Sequence, residues 1–213
     1  TARTNIAYSI FKKGCKKVAF TSSTKGEGKT VTSINVASAL AQQVGTKVIV
    51  VECDLRRPRV NTALKITPTP GLTNYLNDEC SLEDIVKDTK IENLKAITYG
   101  AIPPNPSELL ASESMFDLIK TLEKNYDYII FDTPPIGVVI DALPIMKASD
   151  GVVIIARNNS TTYPELSRTV EVIKRTNAKI LGVILNRVKP HETRKGKSYY
   201  SRYGGYYKAS AND

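Results

Sequence analysis

Short, wholly apolar runs alternate along this chain with longer stretches whose apolar residues recur every three or four positions. Val18–Thr21, Val48–Val51, Tyr128–Phe131, Val152–Ala156 and Ile180–Leu185 predict strands, and Leu94–Tyr99 a weaker one. Thr30–Val44 predicts a helix with Ile34, Ala37, Ala41 and Val44 on one face, stopped by Gly45. Ser112–Asn125 predicts another, with Met115, Leu118, Ile119 and Leu122 in register. A third is predicted over Pro164–Thr176, with Thr162 as N-cap and Pro164 in the first turn. Strands without polar alternation are covered on both faces, as in parallel sheets. The alternation therefore predicts an α/β fold, a doubly wound and mostly parallel sheet. Arg56–Leu72 and the proline-rich Ile102–Leu110 break the pattern as connections. Beyond Lys189 the pattern stops. The expected organisation is one domain over 1–189 and a flexible tail over 190–213.

Composition narrows the chemistry. No apolar run approaches the ~18 residues of a membrane span, and no signal peptide is visible; the start at Thr1 leaves an upstream membrane segment open. The net charge is +9, and residues 187–213 carry seven Lys/Arg against two acids, so more than half of the excess lies there. A solvated tail, an acidic membrane, nucleic acid or phosphate groups would each fit that surplus. Cys15, Cys53 and Cys80 form no CxxC pair, and His191 is the only histidine. A zinc or iron–sulfur site is not expected, and unpaired cysteines fit a reducing cytoplasm.

The chemistry-bearing segment is Ser23-Thr24-Lys25-Gly26-Glu27-Gly28-Lys29-Thr30, which leaves a predicted strand and opens a predicted helix. Glycines in that context let successive backbone N–H groups turn toward phosphate oxygens, and the helix N-terminus adds unpaired donors. Lys25, Gly26, Glu27, Gly28, Lys29, Thr30 and Val31 are the expected nucleotide contacts. Lys29 would reach the β- and γ-phosphates of ATP and Thr30 would ligate Mg²⁺. The pattern departs from the usual one at Ser23, where glycine is customary. Two more predicted strands end in acids, at Glu52-Cys53-Asp54-Leu55-Arg56-Arg57 and at Asp132-Thr133-Pro134-Pro135. Carboxylates at the carboxyl ends of parallel strands lie where such sheets bind ligands, and suit Mg²⁺. Asn186 and Arg187, ending a further strand, are candidate contacts to the nucleotide base.

These three motifs together resemble the bacterial tyrosine kinases, whose second motif is a hydrophobic strand followed by Asp-x-Asp-x-Arg and whose third is a strand followed by Asp-x-x-Pro. Pro103-Pro104-Asn105-Pro106-Ser107-Glu108-Leu109-Leu110 resembles the capsule and exopolysaccharide members, as does a C-terminal tyrosine cluster. The resemblance implies Mg²⁺-dependent transfer of the γ-phosphoryl of ATP to tyrosine. Lys29, Glu52, Asp54 and Asp132 would be catalytic and Thr30, Asp54 and Asp132 would hold the metal. Glu52 or Asp54 would accept the phenolic proton; Glu52 stands where the family has Asp. The resemblance also implies a membrane adaptor of the polysaccharide co-polymerase type, separate or fused upstream, which would keep the chain at the inner face of the cell membrane. It further implies a cognate tyrosine phosphatase and a homo-oligomeric ring. Of the family's upstream Glu-x-x-Arg-x-x-Arg ring motif, the last member stands here as Arg3.

Tyr199, Tyr200, Tyr203, Tyr206 and Tyr207 fall within nine residues and are the expected phosphoacceptors, modified between subunits. Five phosphates would add roughly −8 to −10 charges against a local +5, reversing the sign of the tail. Aromatics among Lys/Arg also suit single-stranded nucleic acid, but a nucleic-acid partner is not expected. The alternative function is a partitioning or cell-division-type ATPase that works by nucleotide-dependent dimerisation. That group has lysine directly after the first loop position; here Thr24 stands there and Lys25 comes one place late.

Overall fold

The computed structural model describes residues 2–189. The chain begins with α1 (Ala2–Ser9), then β1 (Lys16–Ser22), α2 (Lys29–Ala41) and β2 (Val48–Glu52). Four short elements follow: α3 (Val60–Leu64), α4 (Leu72–Leu76), α5 (Leu82–Ile85) and β3 (Val86–Asp88). Then come β4 (Leu94–Ile97), α6 (Pro106–Leu110), α7 (Glu113–Glu123) and β5 (Tyr128–Asp132). The remaining elements are α8 (Leu143–Ala148), β6 (Gly151–Arg157), α9 (Tyr163–Lys174) and β7 (Ile180–Asn186).

The strands form one sheet in the order β3-β4-β2-β5-β1-β6-β7. Every pairing is parallel except that of β3 with β4. Side chains alternate between the two faces of each strand. Ala19, Ile49, Val51, Ile129, Phe131 and Ile154 therefore meet the side chains of α4 to α9 in one core. Val18, Phe20, Val48, Val50, Ile130 and Ile155 meet α1, α2 and α3 in the other. The predicted doubly wound sheet is the observed one.

Several expectations are corrected. The helix predicted over Thr30–Val44 is shorter: α2 ends at Ala41, and Val44 is fully exposed in the turn that Gly45, at φ 73°, completes. β7 is an edge strand, so Val183 and Leu185 stay half exposed despite the apolar run. The two connections contain α3 and α6, and Ala2–Ser9 forms a helix whose Ile6 is buried. The three cysteines are free thiols, two buried and one half-buried. Among the described residues no helix is long and apolar enough to cross a membrane.

Two predictions follow from the packing. Phe131 is fully buried at the centre of one core. Phe131→Ala is expected to cost about 3–5 kcal/mol in urea unfolding. At the start of α9, Thr162 Oγ1 and N each donate to Glu165 Oε2 at 2.8 Å, and Glu165 N donates back to Thr162 Oγ1. The backbone and hydroxyl of Thr162 hold the Glu165 carboxyl below its usual range. A depressed folded pKa stabilises above the unfolded value of about 4.3 and stops doing so as the pH falls through the folded one. Thr162→Val loses the hydroxyl but keeps the backbone donor, so it should shrink that part of the acid-dependent fall in Tm without abolishing it, read by thermal unfolding across the acid range.

Candidate functional site

β1 lies at the centre of the sheet, between β5 and β6. The chain leaves it through Ser23 and re-enters helix at Lys29, with Gly26 and Gly28 at φ 82° and 90°. Those left-handed conformations suit glycine. Gly28 is doubly constrained, since a Cβ there would meet Asn186 Nδ2 at 2.1 Å. The departure at Ser23 has a local partner: its buried hydroxyl accepts from Thr169 Oγ1 of α9 at 2.9 Å. Gly137, in the connection after β5, packs so closely that a Cβ would meet Ser23 O at 2.3 Å. Glu27 is buried and braces the loop, accepting from Thr24 N at 2.9 Å and from the Thr161 hydroxyl.

Register then delivers the acids. Phe20, Asp132 and Glu52 align across β1, β5 and β2, so the strand ends stand at one level beside the loop. Asp132 has no exposed surface and accepts from Lys29 Nζ at 3.0 Å, Thr30 Oγ1 at 2.6 Å and Ser33 Oγ at 3.3 Å. Lys29 Nζ also lies 3.6 Å from Asp54 Oδ2. Burial works against the Lys29 charge, but Asp132 and Asp54 outweigh it and hold the ammonium above its ordinary range. Asp54 is raised by burial, against the pull of Lys29 and of the Arg57 N–H.

Glu52 sits differently. It is fully buried and accepts from the backbone N–H groups of Asp54, Arg59 and Val60 at 3.2, 2.8 and 2.8 Å. It pins the connection that carries Asp54, Arg56 and Arg57. Burial first, and then Asp132, push its carboxyl up to about 8.

The loop and Asp54 open onto a cavity of about 880 Å³, while Glu52 and Asp132 lie buried behind it. Lys25, Gly26, Glu27, Gly28, Lys29, Thr30 and Val31 line one side of it, and Asp54 and the Arg56, Arg57, Arg59 cluster another. Pro134, Pro135, Val138 and Val139 form an apolar wall. Asn186 and Arg187 were expected at the base and are not among these walls. Asn186 Nδ2 donates to Glu27 O at 2.9 Å, bracing the loop from outside, and Arg187 is exposed. Arg3 Nη1 donates to Ala39 O at 3.4 Å, inside its own chain. The five candidate phosphoacceptors lie outside the described residues.

Two groups escaped the sequence reading. Asp141 is buried and accepts two bonds from Arg56 and one from Ser107. The Arg56 hydrogen bond holds its carboxyl below the usual range, against burial. Thr161 accepts from Arg157 N at 2.7 Å while donating to Glu27. Neither sits in a motif, so no spacing announced it.

Residues 15–183 match the family described as an AAA domain. Tyrosine-protein kinase YwqD of Bacillus subtilis (strain 168) is 38% identical over 206 residues, covering 97% of this chain and 84% of that protein. Among solved structures, the chimerical protein CapA2B2 superposes with TM-score 0.83 at 35% identity, over 87% of this chain and 81% of that one. The septum site-determining protein MinD of Pyrococcus horikoshii OT3, complexed with Mg-ADP, gives TM-score 0.69 at 25% identity, over 84% and 75%. The chain belongs to the bacterial tyrosine-protein kinases, within the wider AAA-domain family.

Proposed function

We propose that this protein is an ATP-dependent tyrosine kinase that phosphorylates its own C-terminal tyrosines between subunits. The observation that carries the reading is the convergence of Lys29, Thr30, Asp54 and Asp132 where the phosphate loop opens onto the cavity. The cell-division-type alternative is less favoured, because identity to MinD is 25% against 38% to a named tyrosine kinase.

The loop amides and Lys29 bind and neutralise the phosphates of ATP. Hard oxygen donors from Thr30, Asp54 and Asp132 suit Mg²⁺, which when bound would draw charge from the β- and γ-phosphoryl oxygens. Among the described residues no cluster of three His, Cys, Asp or Glu side chains is arranged to hold a metal alone. The bond from the γ-phosphorus to the bridging oxygen breaks, the phenolic oxygen bonds to phosphorus, and the proton passes to a carboxylate. Asp54 takes that role in our reading, since it lines the cavity while every bond Glu52 makes goes to backbone. The apolar wall from Pro134 to Val139 suits a tyrosine ring.

The chain leaves β7 beside the loop, because Asn186 is bonded to Glu27. On this reading the tyrosines that follow are presented to a neighbouring subunit's active site. By the resemblance, the reaction controls capsule or exopolysaccharide synthesis and export through a co-polymerase-type membrane adaptor, within a ring of subunits, and a cognate phosphatase reverses it.

Intact-mass spectrometry after incubation with Mg·ATP, with the adaptor's cytoplasmic segment present, tests this. Phosphate additions should appear on the full chain and vanish in Lys29→Met and in a chain ending at residue 189. Mixing full-length Lys29→Met with the active shortened chain should restore additions to the former, since transfer is between subunits. ATP turnover without any added phosphate would overturn the kinase reading. A second test separates the two acids. Asp54→Asn should abolish transfer with Tm nearly unchanged. Glu52→Gln should lower Tm, because its amide turns a donor toward backbone N–H groups, and should leave measurable transfer.

A further inference from the structure

Pro103–Leu110 stood out in the sequence but takes no part in the mechanism above. Its helix, α6, is anchored by Leu110, which is fully buried in the core that also holds Ile136 and Ala142. That shared anchorage brings Ser107 against Asp141. Ser107 Oγ donates to Asp141 Oδ1 at 2.5 Å, and Arg56 donates to the same carboxylate through Nε at 2.5 Å and Nη2 at 3.2 Å. Three connections, those after β2, β4 and β5, therefore meet at one buried carboxylate.

The Arg56 side chain is half exposed while the Asp141 carboxylate is buried, so the pair chiefly offsets the cost of burying the acid. What the pair does well is orientation. A bidentate carboxylate fixes the guanidinium plane through one edge. Among the described residues the Nη1 edge of Arg56 has no hydrogen bond, and Arg56 lines the cavity two residues from Asp54. Charge shifts onto the equatorial oxygens of a transferring phosphoryl group, and a donor held still at that point needs no reorganisation to meet it.

We propose that Asp141, supported by Ser107, is a positioning residue that holds Arg56 as a fixed cation on the transferring phosphoryl group. The Pro103–Leu110 segment is then the scaffold that keeps this carboxylate in place. The inference rests on the kinase reading, and names a residue outside its phosphate loop and strand-end acids.

The test is a double-mutant cycle on the full chain, reading the initial rate of tyrosine phosphorylation at saturating Mg·ATP, the affinity for a fluorescent ADP analogue, and Tm. Arg56→Ala should lower kcat about a hundredfold, the cost of one preorganised donor. Asp141→Asn should lower it about tenfold, as for other partners that orient a ligand from behind. Nucleotide affinity should change less than about twofold in both, and Asp141→Glu, which restores the charge, should recover part of the rate. In the Arg56→Ala background Asp141→Asn should have no further effect on kcat, since it acts through Arg56. An equal fall in kcat in both backgrounds would overturn the proposal and leave the kinase reading standing. So would weakened nucleotide binding with kcat unchanged. ATP hydrolysis without phosphotyrosine in the unmodified chain would overturn the kinase reading, and this inference with it.

Discussion

Asp132 is a carboxylate with no exposed surface at the end of the central strands, and a charge there is tolerable only because Lys29, Thr30 and Ser33 all point at it. These donors come from the first turn and a half of α2, so the bonds that neutralise the acid also set where the phosphate loop ends. The dependence runs both ways. Lys29 is buried as well, and without Asp132 and Asp54 its ammonium would be the uncompensated charge. Loop, helix start and strand end thus form one electrostatic unit, and the sheet register that aligns Phe20 with Asp132 makes it possible.

The rest of the upper edge of the sheet is arranged around that unit. Thr133 N donates to Phe20 O at 3.0 Å and Thr21 Oγ1 to Pro134 O at 2.9 Å, which stitches the segment after Asp132 onto β1. Cys53 N donates to Asp132 O at 2.8 Å, tying the second acidic motif to the third. Glu52 serves the same end with its side chain, by gathering three backbone donors of the following connection. Its replacement of aspartate is intelligible in those terms. The longer side chain reaches Arg59 and Val60 across a turn, a structural task for an acid whose motif suggested a chemical one.

The parts legible from sequence were those with a local signal. Strands buried on both faces show as unbroken apolar runs, so β1, β2, β5 and β6 were evident to within two residues. α7 and α9 have a clear helical period, and Ser112 and Thr162 are their N-caps. Helices of four to six residues, such as α3 to α6 and α8, are too short to show a period of 3.6, and packing alone makes them. The edge strand β7 misled for the opposite reason: its residues are apolar, but among the described residues Val183 and Leu185 stay half exposed. At the site, the phosphate loop and Asp132 were legible because a motif carries its geometry with it. Asp141 was not, since its role arises from where three separate connections happen to meet.

The charge balance of the cavity constrains what can enter it. Glu52, Asp54 and Asp132 are three carboxylates within reach of one ammonium, and burial raises the first two toward neutrality. A polyphosphate brought alone to this loop would meet donors on one side and acids on the other. A divalent cation changes the sign of that encounter, because the same acids become its attraction. On the reading proposed above, Lys29 would exchange Asp132 for phosphate, and Asp132 and Thr30 would turn to the ion. The buried Lys29–Asp132 pair is then an arrangement of partners, each with a second use on that reading. Asn186 makes the change felt farther away: bonded to Glu27 O and filling the space beside Gly28, it connects any shift of the loop to β7, the last described strand before the tyrosine segment.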